Sequence, residues 1–133
     1  MSHAMRLLGL TSVAVLALAV CGRSGGVHSI SGDDLARRIA AGSSPLVLDV
    51  RTPEEYAAGH IPGARNIPYD QLAARLSELG VGHSDEIVVH CEGGKRAANA
   101  ERTLADAGYT NVRDLQGHMR GWQQAGRPIE SSH

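Results

Sequence analysis

Two kinds of apolar run alternate along this chain. "PLVLDV" at 45–50 and "EIVVH" at 86–90 are short and continuous, the mark of strands covered on both faces. "GARNIP" and "NVRDL" supply shorter strand candidates. Between these runs, apolar residues recur at three- and four-residue spacing, which predicts helices. In "ISGDDLARRIAAGSS", Ser31 is placed to cap, Asp34 follows three residues later, Leu35 and Ile39 share a face, and Gly42 closes the turn. "RTPEEYAAGH" predicts a compact helix with Thr52 as cap, Pro53 first inside, Glu55 completing a capping box and Gly59 at the end. "YDQLAARLSELG" puts Leu72, Leu76 and Leu79 on one helical stripe and stops at Gly80. The segment after Cys91 predicts a helix with Ala97, Ala100, Leu104 and Ala107 inward, and "GHMRGWQQAG" a terminal helix with Met119 and Trp122 in the core. Strands alternating with helices give an α/β domain whose small parallel sheet is flanked by helices on both faces.

The amino terminus follows another pattern. "MRLLGLTSVAVLALAVC" has a charged start at Arg6 and an apolar stretch from Leu7 to Val20, short of the about 20 residues needed to span a bilayer. It reads as an export signal over 1–21, followed by a flexible linker at 22–27, the folded domain at 28–130 and a tail at 131–133. "LAVC" resembles the lipobox of bacterial lipoproteins, which would lipidate Cys21 and anchor the chain to a membrane, although Val20 departs from the usual small residue. A cut after "ALA" at 17–19 is the alternative. Either places the domain in the periplasm or cell envelope.

Composition removes several function classes. The 133 residues carry a net charge of −1 with both signs mixed, and no basic stripe or aromatic platform points to nucleic acid. With no Phe, the core must be built from Val, Leu, Ile and Ala. The seven His form no pairing at metal-ligand spacing, so neither a metal nor another cofactor is expected.

Of the two cysteines, Cys21 belongs to the leader, which leaves Cys91 alone in the domain. It directly follows the "EIVVH" strand, at the carboxyl edge of the sheet where open α/β folds bind ligands. "CEGGKR" then leads into a helix amino terminus, whose first N–H groups lack intrahelical partners and favour negative charge. Gly93 and Gly94 let successive N–H groups converge on one anion, and the same field lowers the pKa of Cys91. Lys95 and Arg96 add to that field and Glu92 opposes it. Asp49 and Arg51, at the end of "PLVLDVR", are placed to pair and brace the rim of the site. His90 points to the opposite face from Cys91 and reads as structural, and His60 as a loop-fixing hydrogen-bond donor.

"LVLDVRTPEEYAAGHIPGARNIPYDQL" together with "VVHCEGGKRAANAERTLADAGYTNVRDLQGHMRGWQQAGRPI" resembles the rhodanese (sulfurtransferase) family, from about Ile30 to Ile129. The resemblance implies the rhodanese-like fold, a parallel sheet of about five strands. It also implies that Cys91 carries a sulfane sulfur as a persulfide, from a donor anion such as thiosulfate to a cyanide or thiol acceptor. Glu92, Gly93, Gly94, Lys95 and Arg96 would form the substrate-binding loop. Many thiosulfate-active members have a basic residue directly after the cysteine, where this chain has Glu92. A non-turnover persulfide carrier or protein-binding module is the alternative. Related cysteine phosphatases and arsenate reductases place five residues between Cys and Arg; "HCEGGKR" has four, a ring suited to sulfur rather than phosphate.

Overall fold

A computed structural model describes residues 27–132; the leader, and with it Cys21, lies outside the described residues. The elements are β1 (His28–Ile30), α1 (Gly32–Ala40), β2 (Leu46–Asp49), α2 (Pro53–Ala58), β3 (Arg65–Asn66), two 3-10 turns (Leu72–Ala74 and Leu76–Leu79), β4 (Ile87–His90), α3 (Lys95–Asp106), β5 (Val112–Leu115) and α4 (His118–Gln124). The strands form one five-stranded sheet in the order β1-β5-β4-β2-β3, every pair parallel. The chain is therefore an α/β domain with two helical layers.

Strand alternation sorts the core. Leu48, Val50, Ile87 and Val89 face Ala97, Ala100 and Leu104 of α3 and Leu72 and Leu79 of the 3-10 turns. Val47, Val88 and Leu115 face Leu35 of α1 and Met119 and Trp122 of α4, with Tyr56 of α2 against them. The helices start where their caps put them. The Ser31 side chain accepts from Asp34 N at 3.0 Å, and Thr52 and Glu55 close a complete capping box.

Two elements differ from the sequence pattern. "YDQLAARLSELG" is a pair of 3-10 turns, not one α-helix. The segment is short for helix nucleation, and the longer 3-10 rise lets Leu72 and Leu79 both reach the core while Leu76 stays half-buried. Arg65 Nη1, donating to the carbonyls of Glu78 and Leu79 at 3.0 and 2.9 Å, fixes the end of the second turn. Strand β1 had no sequence signal, because only Ile30 of its three residues is buried; it exists by pairing with β5.

The strand order creates the site. After β2 the chain departs towards β3 at one edge, and after β4 it departs towards β5 on the other side. Ligand crevices in open parallel sheets form at such a reversal, outside the carboxyl ends of the strands. Asp49 ends β2 and Cys91 follows β4 at that point.

Candidate active site

The loop 91–94 is pinned from behind by the start of α4. Met119 N donates to Cys91 O at 3.0 Å and Arg120 N to Glu92 O at 3.2 Å. A trans peptide carries its N–H opposite its C=O, so the N–H groups of Glu92 and Gly93 turn away from α4. Gly94 N donates to Cys91 Sγ at 3.0 Å. Gly94 is the cap residue before α3 and offers no side-chain cap, and the Cys91 sulfur accepts instead from the N–H groups of Gly94 and of Ala97 in the first turn.

Cys91 is only 1 % exposed, yet with Gly93, Gly94, Lys95 and Arg96 it lines an open cleft of about 320 Å³. Burial raises the thiol pKa. The His118 side chain, the N–H groups of Ala97 and Gly94 and the His118 charge outweigh burial and bring it to about 7. A large fraction is therefore thiolate at neutral pH.

The remaining loop side chains go to different places. Arg96 forms a two-pronged bond with Glu55 of α2, at 2.6 and 3.0 Å, so its guanidinium is already engaged. Glu92 Oε2 lies 3.6 Å from Arg51 Nη1. Lys95 is exposed at the cleft, and the Arg120 guanidinium overhangs Gly93, 3.4 Å from where a Cβ would stand. Asp49 and Arg51 are both buried and joined by Nη2–Oδ2 and Nε–Oδ1 contacts of 2.7 and 3.0 Å. Arg51 also donates to Gly59 O at 2.7 Å, tying the end of β2 to the end of α2.

His90 is fully buried and does not line the cleft. Its Nδ1 donates to Cys91 O at 3.2 Å, and Nε2 is left without a hydrogen bond, 3.7 Å from Asp49 Oδ2. Burial lowers its pKa and keeps the ring neutral. His60 Nδ1 donates to Tyr56 O at 2.7 Å and its ring stacks on Tyr56, while its backbone pairs with Glu130. Trp122 is a core residue whose Nε1 donates to Pro128 O at 2.8 Å. Among the described residues no group of His, Cys, Asp or Glu is arranged to hold a metal ion.

Sequence reasoning missed His118. It starts α4 directly beyond β5, at the same sheet edge as Cys91, and adopts a left-handed backbone with φ 52°. Its Nδ1 lies 3.3 Å from Cys91 N and its Nε2 3.4 Å from Asp114 Oδ1. Burial opposes charge on the ring, but the Asp114 carboxylate and the Cys91 sulfur push its pKa up to about 9. Nδ1 accepts the Cys91 N–H, so in this arrangement that nitrogen carries no proton. The usable signal was the histidine directly after the glycine that opens the last helix.

The sequence matches the Rhodanese-like domain family over residues 31–125. It is 34% identical over 103 residues to a sulfurtransferase of Allochromatium vinosum, covering 77% of this chain and 94% of that one. It is 46% identical over 123 residues to the HTH-type transcriptional regulator Rv0324 of Mycobacterium tuberculosis, covering 91% of this chain but only 52% of the regulator. Among solved structures, the Alr3790 protein from Anabaena superposes with a TM-score of 0.70 at 31% identity, over 77% of this chain and 81% of that one. A thiosulfate sulfurtransferase from Pseudomonas aeruginosa gives 0.71 at 28% identity, over 80% of this chain and 21% of that one. With the loop, the sheet order and these matches in agreement, the chain belongs to the rhodanese-like domain family.

Proposed function

We propose that this protein is a sulfurtransferase that carries a sulfane sulfur on Cys91. The observation that carries the reading is the sulfur of Cys91 held at the start of α3, with Gly94 N donating to it at 3.0 Å in an open cleft. With thiosulfate, the thiolate attacks the outer sulfur, the donor S–S bond breaks, and sulfite departs with the electron pair. The persulfide on Cys91 then yields its outer sulfur to cyanide or a thiol, and Sγ leaves as thiolate again. At each step the amides of loop 91–97 stabilise negative charge in place, as an oxyanion hole does. Lys95 and Arg120 supply the cationic rim, since Arg96 is occupied by Glu55. That engagement, with the four-residue spacing, also argues against phosphate chemistry.

Thiocyanate formation from thiosulfate and cyanide tests the reading. Wild type turns over and Cys91→Ser does not; activity that survives the substitution removes Cys91 from the role. The likeness to half of a transcriptional regulator favours a second reading, a domain that holds sulfur without turning over small donors. A Cys91 persulfide visible by intact mass, with no thiocyanate produced, selects it. The leader pattern supports export and a lipid anchor at Cys21; a Cys21→Ala variant that stays with the membrane fraction rules the anchor out.

A further inference from the structure

We propose that Glu55 sets the charge class of the sulfur donor. As a positioning residue it latches the Arg96 guanidinium away from incoming anions, so the cleft favours singly charged donors over dianions. The inference rests on the sulfurtransferase reading and adds a specificity-determining residue to it.

The latch joins two helices beside the reactive loop. Arg96 is the second residue of α3 and lines the cleft with Cys91, Gly93, Gly94 and Lys95. Its Nη1 and Nη2 donate to Glu55 Oε1 and Oε2 of α2 at 2.6 and 3.0 Å, the same two-pronged geometry with which a guanidinium grips an oxyanion. Glu55 is fixed from its own side. Its Oε1 accepts from Thr52 N at 3.2 Å, and its N donates to Thr52 Oγ1 at 3.2 Å. The carboxylate therefore belongs to the start of α2 and does not travel with the arginine. Its pKa of about 2, set first by the Arg96 hydrogen bond, keeps it ionised throughout the neutral range. The Arg96 and Glu55 side chains are 29 % and 34 % exposed, so a dissolved anion can compete for the guanidinium. Arg51, the other guanidinium near the loop, is engaged in the same way by Asp49 and Gly59 O. Lys95 and Arg120 are left to meet an anion.

Two donors with the same reacting sulfur separate charge from chemistry. With thiosulfate or a thiosulfonate R–SO₂–S⁻, the Cys91 thiolate forms the Sγ–S bond and the donor S–S bond breaks. Sulfite or the sulfinate R–SO₂⁻ leaves with the electron pair, and no proton, oxidant or reductant is consumed. Thiosulfate brings two negative charges to a cleft that already holds a thiolate, with Glu92 beside it; a thiosulfonate brings one. Closed on Glu55, Arg96 offers a ligand neither net charge nor a free fork. Opened, it would supply one positive charge and two charge-assisted hydrogen bonds, from which a dianion gains about twice the Coulomb energy of a monoanion. The latch withholds that gain, and the loss falls on the dianion.

The test uses Glu55→Gln, which keeps the capping box and loses the ionic grip on Arg96. With cyanide as acceptor, KM for thiosulfate falls about tenfold while kcat changes little, and KM for methanethiosulfonate falls about threefold. Loosening of the fold does not lower KM. An unchanged or raised thiosulfate KM, or an equal fall for the two donors, overturns the proposal. Adding Arg96→Gln to Glu55→Gln restores the wild-type net charge and removes the gain; a gain that survives without Arg96 overturns the latch. A second readout needs no turnover. Sodium sulfate, compared with sodium chloride of the same ionic strength, protects Cys91 from iodoacetamide, followed by mass on the Cys91 peptide. Half-protection comes at about tenfold lower sulfate in Glu55→Gln than in wild type, and an unshifted half-point overturns the latch. A wild type that turns over neither donor defeats the sulfurtransferase reading, while sulfate protection still decides the role of Glu55.

Discussion

At the scale of single residues, the two loop glycines are not equivalent. Gly94 has φ +123°, and a Cβ there would stand 3.1 Å from His118 Nε2. Gly93 has no such backbone, and its Cβ would meet only the flexible end of Arg120 at 3.4 Å. Gly94→Ala therefore costs about 1–3 kcal/mol through backbone strain and displaces the ring that supports the thiolate. Gly93→Ala stays within about 0.5 kcal/mol of wild type, as surface substitutions away from special features do. Urea midpoints for the two variants check the contrast, and equal midpoints refute it. The sequence presents "GG" as one flexible unit; the different demands on each residue come from His118, which is 24 positions away from Gly94 in the chain.

At the scale of elements, Glu55 joins two helices. It completes the capping box of α2 and holds Arg96 of α3, and its pKa falls to about 2, chiefly through the Arg96 hydrogen bond. A carboxyl whose folded pKa lies below its unfolded value adds stability that is complete above about 4.5 and fades as pH drops towards 2. The group is one-third exposed, so the contribution is at most about 1 kcal/mol. Glu55→Gln lowers the urea midpoint at pH 7 and matches wild type more closely at pH 3; an equal deficit at both pH values counts against this account. The capping of α1 and α2 was legible because caps are local, and β2 and β4 because a doubly covered strand is uniformly apolar. Strand β1 was illegible because its one buried residue gives no pattern, and the 3-10 turns because a leucine stripe at 72, 76 and 79 has helical spacing whichever helix forms. In the site, Cys91 to Arg96 could be read as one contiguous stretch. His118, Asp114 and Glu101 could not, since only the β4–β5 pairing and the packing of α3 bring them to Cys91.

At the scale of the whole molecule, that assembled cluster sets how stability depends on pH. Cys91 and His118 oppose each other. The Cys91 pKa drops from about 9 to about 7, so its contribution grows as pH rises through that interval. The His118 pKa climbs from about 6.5 to about 9, so its contribution is complete below 6.5 and is lost over nearly the same interval. The two largely cancel between pH 7 and 9, where both are charged and pair, and the apparent midpoints belong to the pair. Glu101 has no such counterweight. Its folded pKa lies far above its unfolded value, so the folded state holds a proton that the unfolded chain releases above about 4.5. Stability must then decline as pH rises from about 5 to 8, by at most about 1.4 kcal/mol per pH unit for one proton. Glu101→Gln keeps a donor for Asp114 and has no proton to lose, so it flattens that decline and is more stable than wild type at pH 8 but not at pH 5. Urea midpoints of the two proteins at both pH values decide the matter. Parallel pH dependence would mean that Glu101 is ionised in the folded protein and that its carboxyl does not support Asp114.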